Sequence, residues 1–396
     1  MTEQFSIAIV GGGPAGALAA EQLASGGKRV VLFDEKLAWE KPCGGGLTHK
    51  ALAQYPFLAE AGTDARFIRH CELISPLGRR AEFELRQPLA IFSRLTLNGL
   101  LLERARRAGA EIRKSRVVEV SRDGGRWRVA TADAEVTAAF LVLAAGARNS
   151  LRNALAAPLA PADLMVTAGY FIPGEQATVR IQFLQGLSGY IWVFPRPGHV
   201  SAGIAARMGE TSTVSLRQHL ERWLEANGFS LEGARFYSHI LPALGAETLD
   251  QLSVQGDGWM MTGDSAGLVD PITGEGLYYA LRSAELCAGA LLSEQLSTYE
   301  RRLQEEIVEE LRLAAGVAQR FYSGRIFGES VIEKMIALTQ QSEGIRDLMS
   351  DLFAGTQGYR GLRTRVLRIV PGLVLSGISG ALGLAGPSAA PSETPL

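Results

Sequence analysis

Residues 6–10 form a short apolar run that stops at Gly11, Gly12 and Gly13, and residues 15–25 that follow are rich in Ala and Leu. A buried strand, a tight turn and a helix packed on a sheet fit that order. Residues 28–33 are a second apolar run, so the segment predicts a βαβ unit. The pattern then breaks over residues 36–61 into a loop rich in Gly and Pro, followed by a helix. Helical spacing of Leu and Ala returns over residues 94–108, and residues 111–120 and 126–130 carry strand patterns. Residues 140–143 are an apolar strand ending at Ala144-Ala145-Gly146, which predicts a return into the first sheet.

Residues 166–207 differ in kind. Apolar and aromatic stretches are separated there by turn signals such as Pro173-Gly174 and Pro197-Gly198, the pattern of an antiparallel meander. Residues 259–262 again predict a buried strand, residues 276–292 a long Ala/Leu helix, and everything from Ser297 to about Leu367 predicts helix. The final residues 387–396, rich in Pro, Ser and Ala, predict a disordered tail. The fold class is therefore α/β: a Rossmann-like dinucleotide-binding domain, a second domain built on an antiparallel sheet, and a C-terminal helical part.

Composition narrows the partners. Hydrophobic residues make up 47% of the 396 and charged residues 20%, as in a globular protein able to bury a cofactor. With 40 basic against 41 acidic side chains and no long basic run, the chain lacks the surface that nucleic-acid binding needs. The cysteines are Cys43, Cys71 and Cys287, an odd and sparse set without metal-ligand spacing, so neither a disulfide framework nor a zinc site is expected. Glu3 ahead of an apolar run that turns into glycines is unlike a signal peptide, and a cytoplasmic protein is expected.

Gly11-Gly12-Gly13-Pro14-Ala15-Gly16 satisfies G-x-G-x-x-G directly after a strand and before a helix. In that context Gly11 makes the tight turn, Gly13 lets the backbone approach a pyrophosphate, and Gly16 lets helix and strand pack closely. The helix N-terminus then offers free N–H groups and partial positive charge to the phosphates. Asp34, at the end of the second strand, is placed to accept ribose hydroxyls, with Glu35 as the second candidate. The motif alone does not separate FAD from NAD.

A distant motif does. Trp259-Met260-Met261-Thr262-Gly263-Asp264-Ser265-Ala266-Gly267 puts Gly-Asp at the end of a buried strand, and Pro271-Ile272-Thr273-Gly274-Glu275-Gly276 follows before a long helix. Lys41-Pro42-Cys43-Gly44-Gly45-Gly46-Leu47 is a third element, and Tyr190-Ile191-Trp192-Val193-Phe194-Pro195 with Gly203 a fourth. In these the chain resembles the geranylgeranyl reductase family of flavoproteins, related to the aromatic hydroxylases, over residues 5–292. The resemblance implies that FAD is the cofactor, that the Asp264 carboxylate hydrogen-bonds the ribityl chain, and that Gly274, Glu275 and Gly276 lie against the isoalloxazine ring. It adds Cys43, Gly44, Arg94, Gly146 and Gly263 to a cofactor set that already holds Gly11, Gly13, Ala15, Gly16, Asp34 and Glu35. Departures exist: the family's last glycine in the aromatic element is Ala205, the hydroxylase-like Ala-Asp-Gly reads Ala144-Ala145-Gly146, and Asn149 stands where a serine is usual. Alternation along a strand places Tyr190, Trp192 and Phe194 on one face, able to roof a long apolar cavity.

On this footing the expected domains are 1–160 for FAD, with a loop and strand insertion near 36–92; 161–256 for substrate; 257–297 as the return to the first domain; and 298–386 as the helical part. The implied activity is reduction of a prenyl C=C bond by hydride from reduced flavin. An isolated alkene has no carbonyl to stabilise a carbanion, so a positioned acid and a dry cavity are required. The Cys43 thiol, Tyr190 or an ordered water are the candidate donors, with Trp192 beside them, while the five histidines form no recognisable relay. Electrons would come from NAD(P)H or a ferredoxin. A flavin monooxygenase or halogenase, and a non-enzymatic isoprenoid-binding protein, are the rival readings. Residues 369–386 carry no charge and follow Arg363, Arg365 and Arg368, a pattern that fits either a segment lying at the inner membrane surface or a helix packed on the substrate domain.

Overall fold

The computed structural model describes residues 3–60, 64–326 and 328–369; the stretch 370–386 and the tail 387–396 lie outside them. The first sheet carries five parallel strands in the order Trp259–Met261, Glu135–Leu143, Glu3–Val10, Val30–Asp34 and Glu111–Lys114. The strand Gln255–Gly256 and the hairpin Val117–Asp123/Arg126–Thr131 join it antiparallel. Its strands are near-continuous apolar runs because helices Pro14–Ser25, Arg94–Arg107 and Leu277–Leu292 share one core with it. The turn into the first helix fits only glycine at two places. Gly11 has φ of 109°, and a Cβ on Gly16 would stand 1.8 Å from the Gly11 carbonyl oxygen.

The second sheet has eight strands, ordered Arg235–Pro242, Leu164–Pro173, His199–Arg207, Gly189–Arg196, Thr178–Phe183, Ala65–Ile74, Arg80–Phe92 and Gly46–Leu47. Thr178–Phe183 pairs in parallel with Ala65–Ile74, which carries the segment near 36–92 onto this sheet. One face, with Ile191, Val193 and Ile204, packs under the helix Thr213–Ala226 through Leu216, Leu220 and Leu224. The opposite face, with Tyr190 and Trp192, meets Phe321 and the helices Val331–Gln341 and Glu343–Ala354 through Ile336, Ile345 and Leu348. Two short strands, Arg325–Ile326 and Glu329–Ser330, interrupt the C-terminal helices where continuous helix was expected. No helix among the described residues is long and apolar enough to cross a membrane.

Candidate cofactor and substrate cavity

A cavity of about 1480 Å³ begins at the glycine turn and ends under the C-terminal helices. The cofactor and pocket residues expected from the sequence all line it except Gly16, which is consumed in the packing of the turn. At the nucleotide end the helix Pro14–Ser25 starts with Pro14 at its first turn and no side chain capping its N–H groups. A Cβ on Gly13 would meet no atom of the described residues within 4 Å, so the space before the helix end is open among them. Asp34 Oδ2 accepts from Gly12 N at 2.7 Å, and Oδ1 accepts from Lys36 N at 2.8 Å and Leu37 N at 2.6 Å. The carboxylate thus ties the second strand to the glycine turn while keeping room for a further acceptor bond. Glu35, on the rim, has a half-exposed side chain that pairs with Arg116 at 3.9 Å. Ala15 packs beneath Gly263, whose Cβ would stand 3.3 Å from that of Ala15.

Farther in, Lys41 Nζ lies 3.6 Å from the Asp264 carboxylate. The loop after Lys41 is held from below by Arg196, which is fully buried, pairs with Glu40, donates to the Cys43 carbonyl, and donates to the Gly44 carbonyl at 3.2 Å. Ser201 Oγ donates to the same Cys43 carbonyl at 2.8 Å. The Cys43 sulfur sits between Arg94 Nη1 and Arg196 Nη2, each at 3.3 Å. Burial pushes that thiol up, but the guanidinium groups of Arg94 and Arg196, helped by Lys41, more than offset it and bring it below the usual thiol range. Arg94 itself is buried at the start of its helix, its side chain steadied by Asn98 at 3.2 Å. Gly146 closes the far wall, its carbonyl accepting from Ser265 Oγ at 3.1 Å and Asn149 Nδ2 at 3.4 Å.

The turn before Leu277–Leu292 forms the next wall. Asp270, buried, accepts from Ile272 N at 2.8 Å, Thr273 N at 3.0 Å and Tyr359 Oη at 2.8 Å. Tyr190 Oη donates to the Thr273 carbonyl at 3.2 Å and fills the space where Gly274, at φ of 70°, has no Cβ. Glu275 Oε1 accepts from Thr48 Oγ1 at 3.1 Å. Burial, with the neighbouring Asp270 charge, pushes the Glu275 carboxyl up to about 7.

Beyond this turn the walls become apolar. Trp192 fits over Gly203, where a Cβ would be 2.2 Å from its ring, and Phe194 packs on the loop at Gly44. Phe183, Phe321, Leu348, Leu352 and Phe353 continue the lining. Two functional candidates escape the sequence reading. Arg196 extends the alternation of Tyr190, Trp192 and Phe194 by one more step, a signal present in the sequence. His239 lines the cavity with a buried Nε2 that has no hydrogen-bond partner among the described residues, and burial followed by the Lys41 charge pushes it down to about 4, leaving a neutral ring. Nothing local to its sequence marks it.

A family model described as pyridine nucleotide-disulphide oxidoreductase matches residues 5–159. A digeranylgeranylglycerophospholipid reductase from Methanothermobacter thermautotrophicus is 27% identical over 337 residues, 78% of this chain and 85% of that protein. A menaquinone reductase from Mycobacterium tuberculosis is 30% identical over 323 residues, 74% of this chain and 78% of that protein. The chain belongs to the geranylgeranyl reductase family of flavoproteins. Among solved structures, a geranylgeranyl bacteriochlorophyll reductase-like protein from Thermoplasma acidophilum superposes with a TM-score of 0.77 at 19% identity, covering 93% of this chain and all of that one. A flavin-dependent brominase shares the fold at a TM-score of 0.68 and 17% identity, covering 92% and 98% of the two chains. Membership in this family of flavoproteins makes the protein an FAD-dependent oxidoreductase. The residues of the cavity suit FAD: an uncapped helix end faces open space at Gly13, and the buried Nε2 of His239 is a polar atom that a bound cofactor would satisfy.

Proposed function

We propose that this protein saturates C=C bonds of a prenyl chain, which lies in the apolar arm while FAD occupies the polar end of the same cavity. The continuity of the two ends supports this reading: the lining passes from Asp264 and Glu275 to Tyr190, Trp192 and Phe194 and on to Phe183, Phe321 and Leu352. Bound FAD, reduced by NAD(P)H or a ferredoxin, supplies the hydride. The remaining work falls to the chain. The N-terminus of Pro14–Ser25 and Gly13 hold the pyrophosphate, Asp34 the adenosine ribose, Asp264 the ribityl chain, and the Gly274–Gly276 turn the ring. Arg94 and Arg196 orient Cys43 as the proton donor to the alkene, and the apolar arm keeps water out so that the proton goes to carbon.

Tyr190 is engaged with Thr273, and burial pushes its phenol up, so it acts as a brace for the turn. The similar proteins, a menaquinone reductase and a digeranylgeranylglycerophospholipid reductase, point to a lipid substrate. Ile369 packs with Leu362 and Val366 against the core of the second sheet, and Arg365 pairs with Asp351 at 2.6 Å. Arg363 and Arg368, ahead of the uncharged residues 370–386, would favour an anionic membrane surface, which flotation of the full chain with anionic liposomes tests. The function is tested by mass spectrometry of the isoprenoid lipids of cells with and without the protein. Prenyl chains that gain hydrogens only when it is present support the reading, and unchanged lipids count against it.

A further inference from the structure

Reducing one isolated double bond takes two electrons and two protons: C=C + 2e⁻ + 2H⁺ gives CH–CH. A nicotinamide delivers the electrons with one of the protons as hydride, whereas a ferredoxin brings electrons alone. One or two protons must therefore enter a cavity whose inner walls are apolar.

The geometry points to Glu275 as the group through which protons enter, exchanging with solvent by way of Lys50 and Glu310. This rests on the reading above that the Gly274–Gly276 turn faces the flavin. Glu275 lines the cavity, and Thr48 Oγ1 donates to it at 3.1 Å while capping the helix His49–Gln54 that carries Lys50. Lys50 lies over the Tyr278 ring, 4.1 Å from its centroid, and also lines the cavity. Glu310 also lines the cavity, lies within electrostatic reach of Lys50, and is fixed by accepting from Tyr359 N. The wall then reaches the surface at Glu305 and Arg360, whose side chains are 54% and 71% exposed. Glu305 and Glu306 sit in a π-helical turn, Gln304–Val308, and both line the cavity. Ionisable side chains thus mark a route from solvent to the turn.

The groups facing Glu275 set its behaviour. Asp270 on its own turn disfavours a second negative charge, while Thr48 and Lys50 from the neighbouring helix favour it. Lys50 in turn answers to Glu310 and Glu306 from the C-terminal helices and to Arg282 from Leu277–Leu292. Burial outweighs these, and the carboxyl at about 7 can both hold and release a proton near neutrality.

The test is the midpoint potential of bound FAD against pH, in the full chain and in E275Q. Negative charge arriving on the flavin makes the wild-type carboxylate take up a proton above pH 7. Its potential should then fall more steeply there than that of E275Q, by up to the tenfold change in equilibrium per pH unit of one extra proton, about 30 mV for a two-electron couple. T48V removes a hydrogen bond that favours the carboxylate, so the steep region should move to higher pH; this variant serves if E275Q fails to hold FAD. Identical pH slopes in wild type and E275Q, or an unmoved profile in T48V, overturn the assignment. If the slopes differ but no prenyl substrate reoxidises the flavin, the proposed activity fails and the proton role of Glu275 stands; turnover with coincident slopes has the opposite meaning.

Discussion

Arg196 Nη2 lies 3.3 Å from the Sγ of Cys43. With Arg94 at the same distance on another side, the sulfur is held where negative charge is favoured, although burial alone would oppose it. Among the described residues Cys71 and Cys287 have no such neighbours, and burial pushes both thiols up. Alkylation of the native flavin-free protein at neutral pH should therefore label Cys43 first, which peptide mass spectrometry reads directly. Donation from Cys43 needs the thiol, so alkene reduction should fall as pH rises through its lowered value. C43A should still permit dithionite reduction of the flavin but slow alkene reduction by ~10² or more. Unchanged turnover in C43A would leave a water as donor.

Gly13 and Gly16 should separate binding from folding. A side chain on Gly13 meets open space, so Gly13→Val should fold, with a melting temperature near that of the flavin-free wild type, yet lack FAD. Gly16→Val would drive a side chain into the Gly11 carbonyl and should fail to fold. Asp264→Ala should fold and lose flavin. Normal flavin absorbance in Gly13→Val or Asp264→Ala would refute the placement of the cofactor.

The apolar arm sets chain length. Leu352 is a half-buried lining residue on the helix Glu343–Ala354, and Leu352→Trp should narrow the arm while sparing the flavin. Binding of long prenyl chains should weaken by a few kcal/mol, the scale of lost apolar burial at ~25 cal/mol per Å², with short chains little affected. Equal losses for both lengths would place the chain elsewhere.

Glu275 links stability to pH. Its folded value of about 7 is above the ordinary 4.5, so the fold binds this proton more tightly than the unfolded chain does. The stability it contributes is complete below about 4.5 and is lost as pH rises through 7. Flavin-free E275Q, which mimics the protonated form, should match wild type at about pH 4.5 and exceed it above about pH 7, by no more than about 3 kcal/mol. Parallel denaturation profiles across that window would contradict it.

Much of the fold is legible in local patterns. The βαβ unit with its glycine spacing and Asp34 can be read because each contact lies within one short segment, and the common face of Tyr190, Trp192 and Phe194 follows from strand alternation. Other features depend on distant pairings that no local period encodes. Ala65–Ile74 joins the second sheet through Thr178–Phe183, and Arg196 closes on Glu40 and Cys43 from across that sheet. His239 carries no sequence signal because its significance is a buried nitrogen without a hydrogen-bond partner among the described residues, a property that exists only in the folded chain.

Whether this flavoenzyme reduces prenyl double bonds is tested most directly by an anaerobic single turnover. The bound FAD is bleached with dithionite, excess reductant is removed, and a prenyl lipid is added while the flavin absorbance is followed and the lipid is weighed by mass spectrometry. The predicted result is return of the oxidised flavin spectrum and a lipid that gains two hydrogen atoms per flavin reoxidised. Flavin that stays bleached until oxygen is admitted, and then yields peroxide or an oxygenated lipid, would contradict it.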